Sequence, residues 1–334
     1  MRDTIDQTPL PTPDELRGLY RSMLLVRRFE ELIVEVYPEQ EMKTPVHLCI
    51  GQEAIAAGVC AHLKPGDPLF STHRNHGHCL AKGMPPEPLY AEFYGRVTGC
   101  CRGKGGSMHS CWPEAGIMGT TAIVGGGIPL AVGAALALKL RKAPGVSVVF
   151  FGDGASEEGT FHESLNFAAL KGLPVVFVCE NNGYATNSPL AARQPLRDIH
   201  LHAAGYGIPA VAVDGNCALT VHHEAGKAVR RARAGLGPSL LECHTYRWKG
   251  HVGPDCDHEK GCRPLSELEH WIGRCPIERL GERLLAEGLA DAAWCETLRA
   301  QIDRDLRLAL DRAKAAPYPD PAEVARHVFR SEVA

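Results

Sequence analysis

The chain has 334 residues, 45% hydrophobic and 22% charged, a balance that fits a globular protein with a sizeable core and excludes a disordered or fibrous one. Lys and Arg number 36 against 39 Asp and Glu, and a formal net charge of -3 offers no electrostatic handle to nucleic acid or to an anionic membrane surface. Neither partner is expected, and no run reaches the roughly 18 apolar residues that span a bilayer.

Residues 1–13 read as a flexible tail, whose acids and prolines indicate neither a secretory signal nor a transit peptide. Helical spacing begins at Asp14, taken as the N-cap before Leu16, Leu19, Tyr20, Met23 and Leu24. Residues 52–63 (QEAIAAGVCAHL) form a second expected helix, closed by the turn chemistry of Lys64-Pro65-Gly66-Asp67 and followed by the His- and Arg-rich loop STHRNHGH. From 95 to 127 glycine is dense and apolar periodicity weak, which predicts irregular backbone passing close to something.

Helical spacing resumes in IPLAVGAALALKLRK, and VSVVFF reads as a buried parallel strand ending at Gly152-Asp153-Gly154. EEGTFHESLNFAALKG fits a helix and PVVFVCE a second buried strand, ending at Asn181-Asn182-Gly183, so the pair makes a βαβ unit. AVAVDG and SLLECHTY supply two more strands. From about 265 to Lys314 the chain is polar and helical. The fold expected is α/β, a mostly parallel sheet with helices on both faces and a helical C-terminal extension, and residues 14–334 read as a single domain.

Thirteen cysteines form no C-x-x-C pair, and several, such as Cys49, Cys60 and Cys179, sit in apolar runs; the odd count predicts reduced thiols and a cytoplasmic location. Cys256, His258 and Cys262 form the densest group, a possible zinc site that lacks further ligands at recognised spacing.

The chemistry concentrates at two strand ends. Asp153 and the Asn181-Asn182 pair would set a carboxylate and an amide oxygen on neighbouring termini, hard donors that suit Mg²⁺ with positions left for phosphates. The glycines let backbone approach a diphosphate, and the following helix start directs partial positive charge at it. Glu157 and Glu158 there read as partners of the helix dipole. Gly, Asp and Asn are ordinary turn formers, so either half alone is a loop; the pair, each after an apolar strand, is far more specific.

GDG, 26 residues and then NN resembles the motif of thiamine-diphosphate enzymes. VHLCIGQEA, STHRNHGHCLAKG, GRVTGCCRGKGGSMH, AIVGGGIPLAVGAALA, FFGDGA, VCENNGYA and TYRWKGH, in that order, resemble the α subunit of the E1 component of 2-oxo acid dehydrogenase complexes, of acetoin or pyruvate dehydrogenase type. The resemblance implies an oxidoreductase subunit that binds thiamine diphosphate and Mg²⁺. Asp153 and Asn182 match the Mg²⁺ side-chain ligands, and Tyr184 matches a backbone-carbonyl ligand. Gly154 and Ala155 match diphosphate contacts, and Arg74 matches the diphosphate clamp, with His73 replacing an aromatic residue. Ala122 and Val124 match residues lining the folded cofactor. His251 matches a phosphate-facing catalytic histidine, while His109 and His47 match histidines near the reacting carbon.

The same resemblance implies an α₂β₂ heterotetramer, since the glutamate that activates the cofactor belongs to the β subunit. It further implies a small carbonyl substrate and transfer of the acyl or hydroxyalkyl group to a lipoyl E2. Residues 252–263 depart from the pattern, with Val252 in place of Ser and Cys262-Arg263 in place of Tyr-Arg. That departure keeps open a thiamine-diphosphate lyase or carboligase working without E2; a third reading is a noncatalytic cofactor-binding subunit.

Overall fold

The computed structural model describes residues 10–326. In chain order its elements are helix α1 (Pro13–Val36), α2 (Glu53–Cys60), strand β1 (Leu69–Ser71), α3 (His76–Ala81), α4 (Pro86–Phe93), β2 (Ile117–Thr120), α5 (Gly127–Leu140), β3 (Ser147–Gly152) and α6 (Gly159–Lys171). They continue with β4 (Val175–Asn181), a hairpin of β5 (Tyr184–Ala185) and β6 (Ser188–Pro189), α7 (Leu190–Arg193), β7 (Ala210–Asp214), α8 (Ala218–Arg233), β8 (Ser239–His244), α9 (Leu265–Ile272), α10 (Pro276–Ala286) and α11 (Ala292–Ala315).

Most of the tail expected over 1–13 lies outside the described residues. Its last part does not: Thr12, rather than Asp14, caps α1. The Thr12 hydroxyl accepts from the Glu15 N–H while the Glu15 carboxylate accepts from the Thr12 N–H, and Pro13 occupies the first helical position. Two elements sit where loops were expected. STHRNHGH gives way to α3 at His76, and the glycine-rich stretch contains β2.

Six strands form one parallel sheet in the order β2-β1-β3-β4-β8-β7. Along β3 and β4 successive side chains alternate between two apolar clusters, which is why both strands read as unbroken apolar runs. Val148, Phe150, Val176 and Val178 face a layer containing residues of α1, α2, α8, α10 and α11. Val149, Phe151, Val175 and Phe177 face residues of α5 and α6. Helices therefore cover both sheet faces. In the C-terminal layer α10 packs on α1, and α11 packs on α1 and α4. No described helix is long and apolar enough to cross a membrane.

The chain runs outward from β1 to β2 and returns to β3 on the other side of β1. Where strand order reverses, neighbouring loops leave the carboxyl edge in opposite directions and open a crevice, the usual ligand site of such sheets. The segments after β1, β3 and β4 meet there.

Candidate cofactor site

A cleft of about 250 Å³ opens at this reversal, its floor formed by Ser71, Phe150, Phe151 and Glu180. His47, His73, Arg74, Ala122, Val124, Asp153, Gly154, Ala155, Asn182, Tyr184 and His251 all line it. His109 does not: it is exposed beyond the rim, and its ring nitrogens meet the Ala122 N–H at 3.4 Å and the Gly105 carbonyl at 3.2 Å.

Asp153 follows β3 directly and is buried. Burial pushes its pKa up, opposed by Arg193, whose guanidinium donates to the Asp153 carboxylate and to Glu157. A cation thus already matches the buried carboxylate. Glu157, expected to serve the dipole of α6, instead precedes that helix and spends its charge on Arg193. At the end of β4 the two asparagines diverge. Asn181 donates its amide to Glu242 at 2.7 Å, leaving the cleft to Asn182, which receives the Tyr184 N–H at 3.2 Å. Asn182 donates to Gln52 at 3.4 Å, so the GQE segment after His47 steadies this donor. At Gly154 a Cβ would come within 2.8 Å of the Ala185 Cβ, so only glycine leaves that edge of the cradle open.

The opposite wall is assembled by main-chain pairing, with Trp248 N–H donating to Ile50 O at 2.9 Å and Gly253 N–H to Val46 O at 2.8 Å. This brings His47 and His251 together, and the loop after β1 adds His73. Ring centroids lie 4.6 Å apart for His47 and His73, 5.1 Å for His47 and His251, and 5.4 Å for His73 and His251. Burial first, then the nearby Arg74 charge, depresses all three pKa values, to about 2 for His47, about 3 for His73 and about 4 for His251. The rings are neutral at physiological pH. Arg74 itself is buried and donates to the carbonyls of Leu48 at 2.6 Å and His251 at 3.1 Å, which tie the walls together.

The departing loop 252–263 is pinned from within. Asp257 pairs with Arg247 at 2.8 Å and with Arg263 at 3.0 Å, and Arg263 lies over the Tyr246 ring at 4.4 Å. Cys256, His258 and Cys262 do not converge: among the described residues they form no group with three ligand atoms in reach, because Asp257 and its arginines set the loop's path. All thirteen cysteines are free thiols.

Several site residues carry no local signal in the sequence. Arg193 comes from a polar stretch without periodicity. Glu180 lines the floor and meets His78 Nε2 at 3.2 Å, while His78 Nδ1 meets the Ser71 hydroxyl at 2.8 Å, a chain formed by residues 109 positions apart in sequence.

Comparison with known proteins agrees with this geometry. The dehydrogenase E1 component family model matches residues 20–322. The chain is 42% identical over 320 residues to the α subunit of acetoin:2,6-dichlorophenolindophenol oxidoreductase from Bacillus subtilis, covering 96% of this chain and 95% of that one. It is 40% identical over 331 residues to the protein of the same name from Cupriavidus necator, with 99% of each covered. Against the pyruvate dehydrogenase E1 component subunit alpha of Porphyra purpurea identity is 39% over 325 residues, with 95% and 94% covered. A parallel sheet with its cleft at the strand reversal, matched across nearly its whole length, makes this chain a member of the dehydrogenase E1 component family of thiamine-diphosphate-dependent enzymes.

Proposed function

We propose that the chain is the α-type subunit of an E1 enzyme that cleaves acetoin or a small 2-oxo acid with thiamine diphosphate and Mg²⁺, in an α₂β₂ assembly that delivers the product group to a lipoyl E2. The observation that carries this reading is the placement of Asp153 and Asn182 on adjacent strand ends beside an open glycine cradle. The donors fit the ion. A buried carboxylate already drawing a cation, an amide oxygen and a nearby main-chain carbonyl are hard oxygen ligands, and Mg²⁺ bound by few protein groups keeps positions for phosphate oxygens.

In this reading Asp153, Asn182 and the Tyr184 carbonyl hold Mg²⁺, and the backbone at Gly154 and Ala155 receives the diphosphate. When bound, thiamine diphosphate supplies a carbon nucleophile and an electron sink. The neutral imidazoles of His47, His73 and His251 serve as proton acceptors and donors at the substrate's oxygens. Exposed apolar residues at the rim, Ile123 and Val124 among them, support a partner chain that completes the cleft.

Asp153→Asn is expected to weaken Mg²⁺-dependent thiamine diphosphate binding about 100-fold, roughly 3 kcal/mol, the scale of a lost charged ligand contact. Calorimetry on the assembled protein measures it, with thermal unfolding as the control for the unpaired Arg193; unchanged affinity in a folded variant removes Asp153 from the metal site. Mass spectrometry of what co-purifies with the chain tests the assembly: a β-type chain with a lipoyl protein supports the complex, and a β-type chain alone supports the lyase or carboligase.

A further inference from the structure

A cavity of about 460 Å³, against about 250 Å³ for the cofactor cleft, opens on the other side of the sheet's strand axis. It lies where α8 crosses the amino ends of β7 and β8, and it shares no lining residue with the cleft, which sits at the carboxyl ends of β1, β3 and β4. Small side chains open it: Ala210 on edge strand β7 and buried Ala228 on α8 leave space that protein interiors ordinarily fill. The volume falls within the roughly 300–1,000 Å³ of small-molecule sites.

Helix α8 turns Glu224, Lys227, Ala228 and Arg231 to the cavity, the i, i+3, i+4, i+7 spacing of one helix face. The charges in that set do not cancel. Lys227 pairs with Glu224 at 3.4 Å, whereas Arg231 has no carboxylate partner among the described residues. Arg231 donates to the Leu236 carbonyl, and its Nε is buried with no acceptor. Buried donors are ordinarily satisfied, so a guanidinium left short of acceptors beside a cavity points to a ligand that supplies them. One uncompensated cation beside the apolar walls of Val211, Leu240 and Leu241 matches a monoanion with a hydrocarbon body, and Glu224 disfavours a dianion. The planar guanidinium fork suits a carboxylate. We propose that this cavity is a second ligand site, remote from the cofactor, that takes a medium-chain carboxylate with its head on Arg231 and its chain over Val211, Ala228, Leu240 and Leu241.

Calorimetry of the assembled protein with octanoate, without thiamine diphosphate or Mg²⁺, tests this independently of the cofactor reading. The expected result is one saturable equivalent per chain of this type, undisturbed by later addition of thiamine diphosphate and Mg²⁺. Octylammonium, with the same chain and the opposite charge, and inorganic phosphate, with charge and no chain, should each bind far more weakly. Arg231→Gln should weaken octanoate about 10–100-fold, the scale of a lost charge-assisted hydrogen bond. Glu224→Gln should act in the other direction, tightening it about 2–5-fold by removing a like charge. Thermal unfolding checks that both variants fold, and Glu224→Gln carries the test should Arg231→Gln fail to. Absence of octanoate binding, equal binding of octylammonium, displacement by thiamine diphosphate, unchanged affinity in folded Arg231→Gln, or no tightening in Glu224→Gln would each overturn the proposal.

Discussion

Moving the rings of His47, His73 and His251 out of water beside Arg74 disfavours their charged forms, and this links the cleft to stability. In the unfolded chain all three titrate near the ordinary value of 6.5, whereas in the fold they stay neutral down to about 4, 3 and 2. Below pH 6.5 the unfolded chain therefore binds more protons than the native one, so stability present at pH 7 is lost as pH falls; above 6.5 these groups contribute no slope. The urea midpoint is expected to drop between pH 6.5 and 4, and His73→Phe should flatten that slope relative to the parent. Equal slopes would show that His73 is protonated in the fold. That Asp153 and Asn182 share one cleft was legible in the sequence, because a carboxylate and an amide each follow an apolar strand and the two strands are neighbours. Arg193 was not legible, since any cation on a passing segment balances Asp153 and nothing local marks which one does.

The glycine-rich stretch shows what orders an element that lacks periodicity. The Glu92 carboxylate, buried on α4, accepts from the N–H groups of Cys101 at 2.7 Å, Gly103 at 3.0 Å, Gly105 at 2.6 Å and Gly106 at 3.2 Å. One charge holds a loop with no ladder of its own, and Asn75 fixes its far side by donating to Ser107 O at 2.8 Å. Glu92→Ala should cost about 2–3 kcal/mol, since four part-buried donors lose a charged acceptor. Urea unfolding measures it, and hydrogen exchange over residues 99–109 should rise before global unfolding; unchanged protection would place the loop's order elsewhere. Strand legibility followed length. β3 and β4, six and seven residues buried on both faces, announce themselves as apolar runs. β1 and β2, three and four residues, are strands only because Leu69 pairs with Val148 and with Ile117, contacts between segments far apart in sequence.

Across the whole molecule, the two helical layers seal the sheet faces, yet among the exposed apolar residues one series lies next to the cleft. It runs from Met118 on edge strand β2 through Ile123 and Val124 to Leu130 on α5, and its middle residues form the mouth of the cleft. Ile123 is 73% exposed, so its side chain contributes little to this chain's own core. Exposed apolar residues beside a ligand cleft are where a partner chain would pack under the proposed assembly. Ile123→Asp should accordingly leave the unfolding midpoint within about 0.5 kcal/mol of the parent, as surface changes do. The same change puts a carboxylate into an apolar contact, and its burial there should weaken association with the β-type partner by roughly 10–100-fold, or about 1.4–2.8 kcal/mol. Sedimentation at matched concentrations separates the two effects, and cofactor affinity measured on the separated and assembled forms adds a third readout. If assembly and cofactor binding both survive the substitution, the partner completes the cleft from the side of His47 and His251 rather than from β2 and α5; if the midpoint falls with assembly, Ile123 belongs to the chain's own packing.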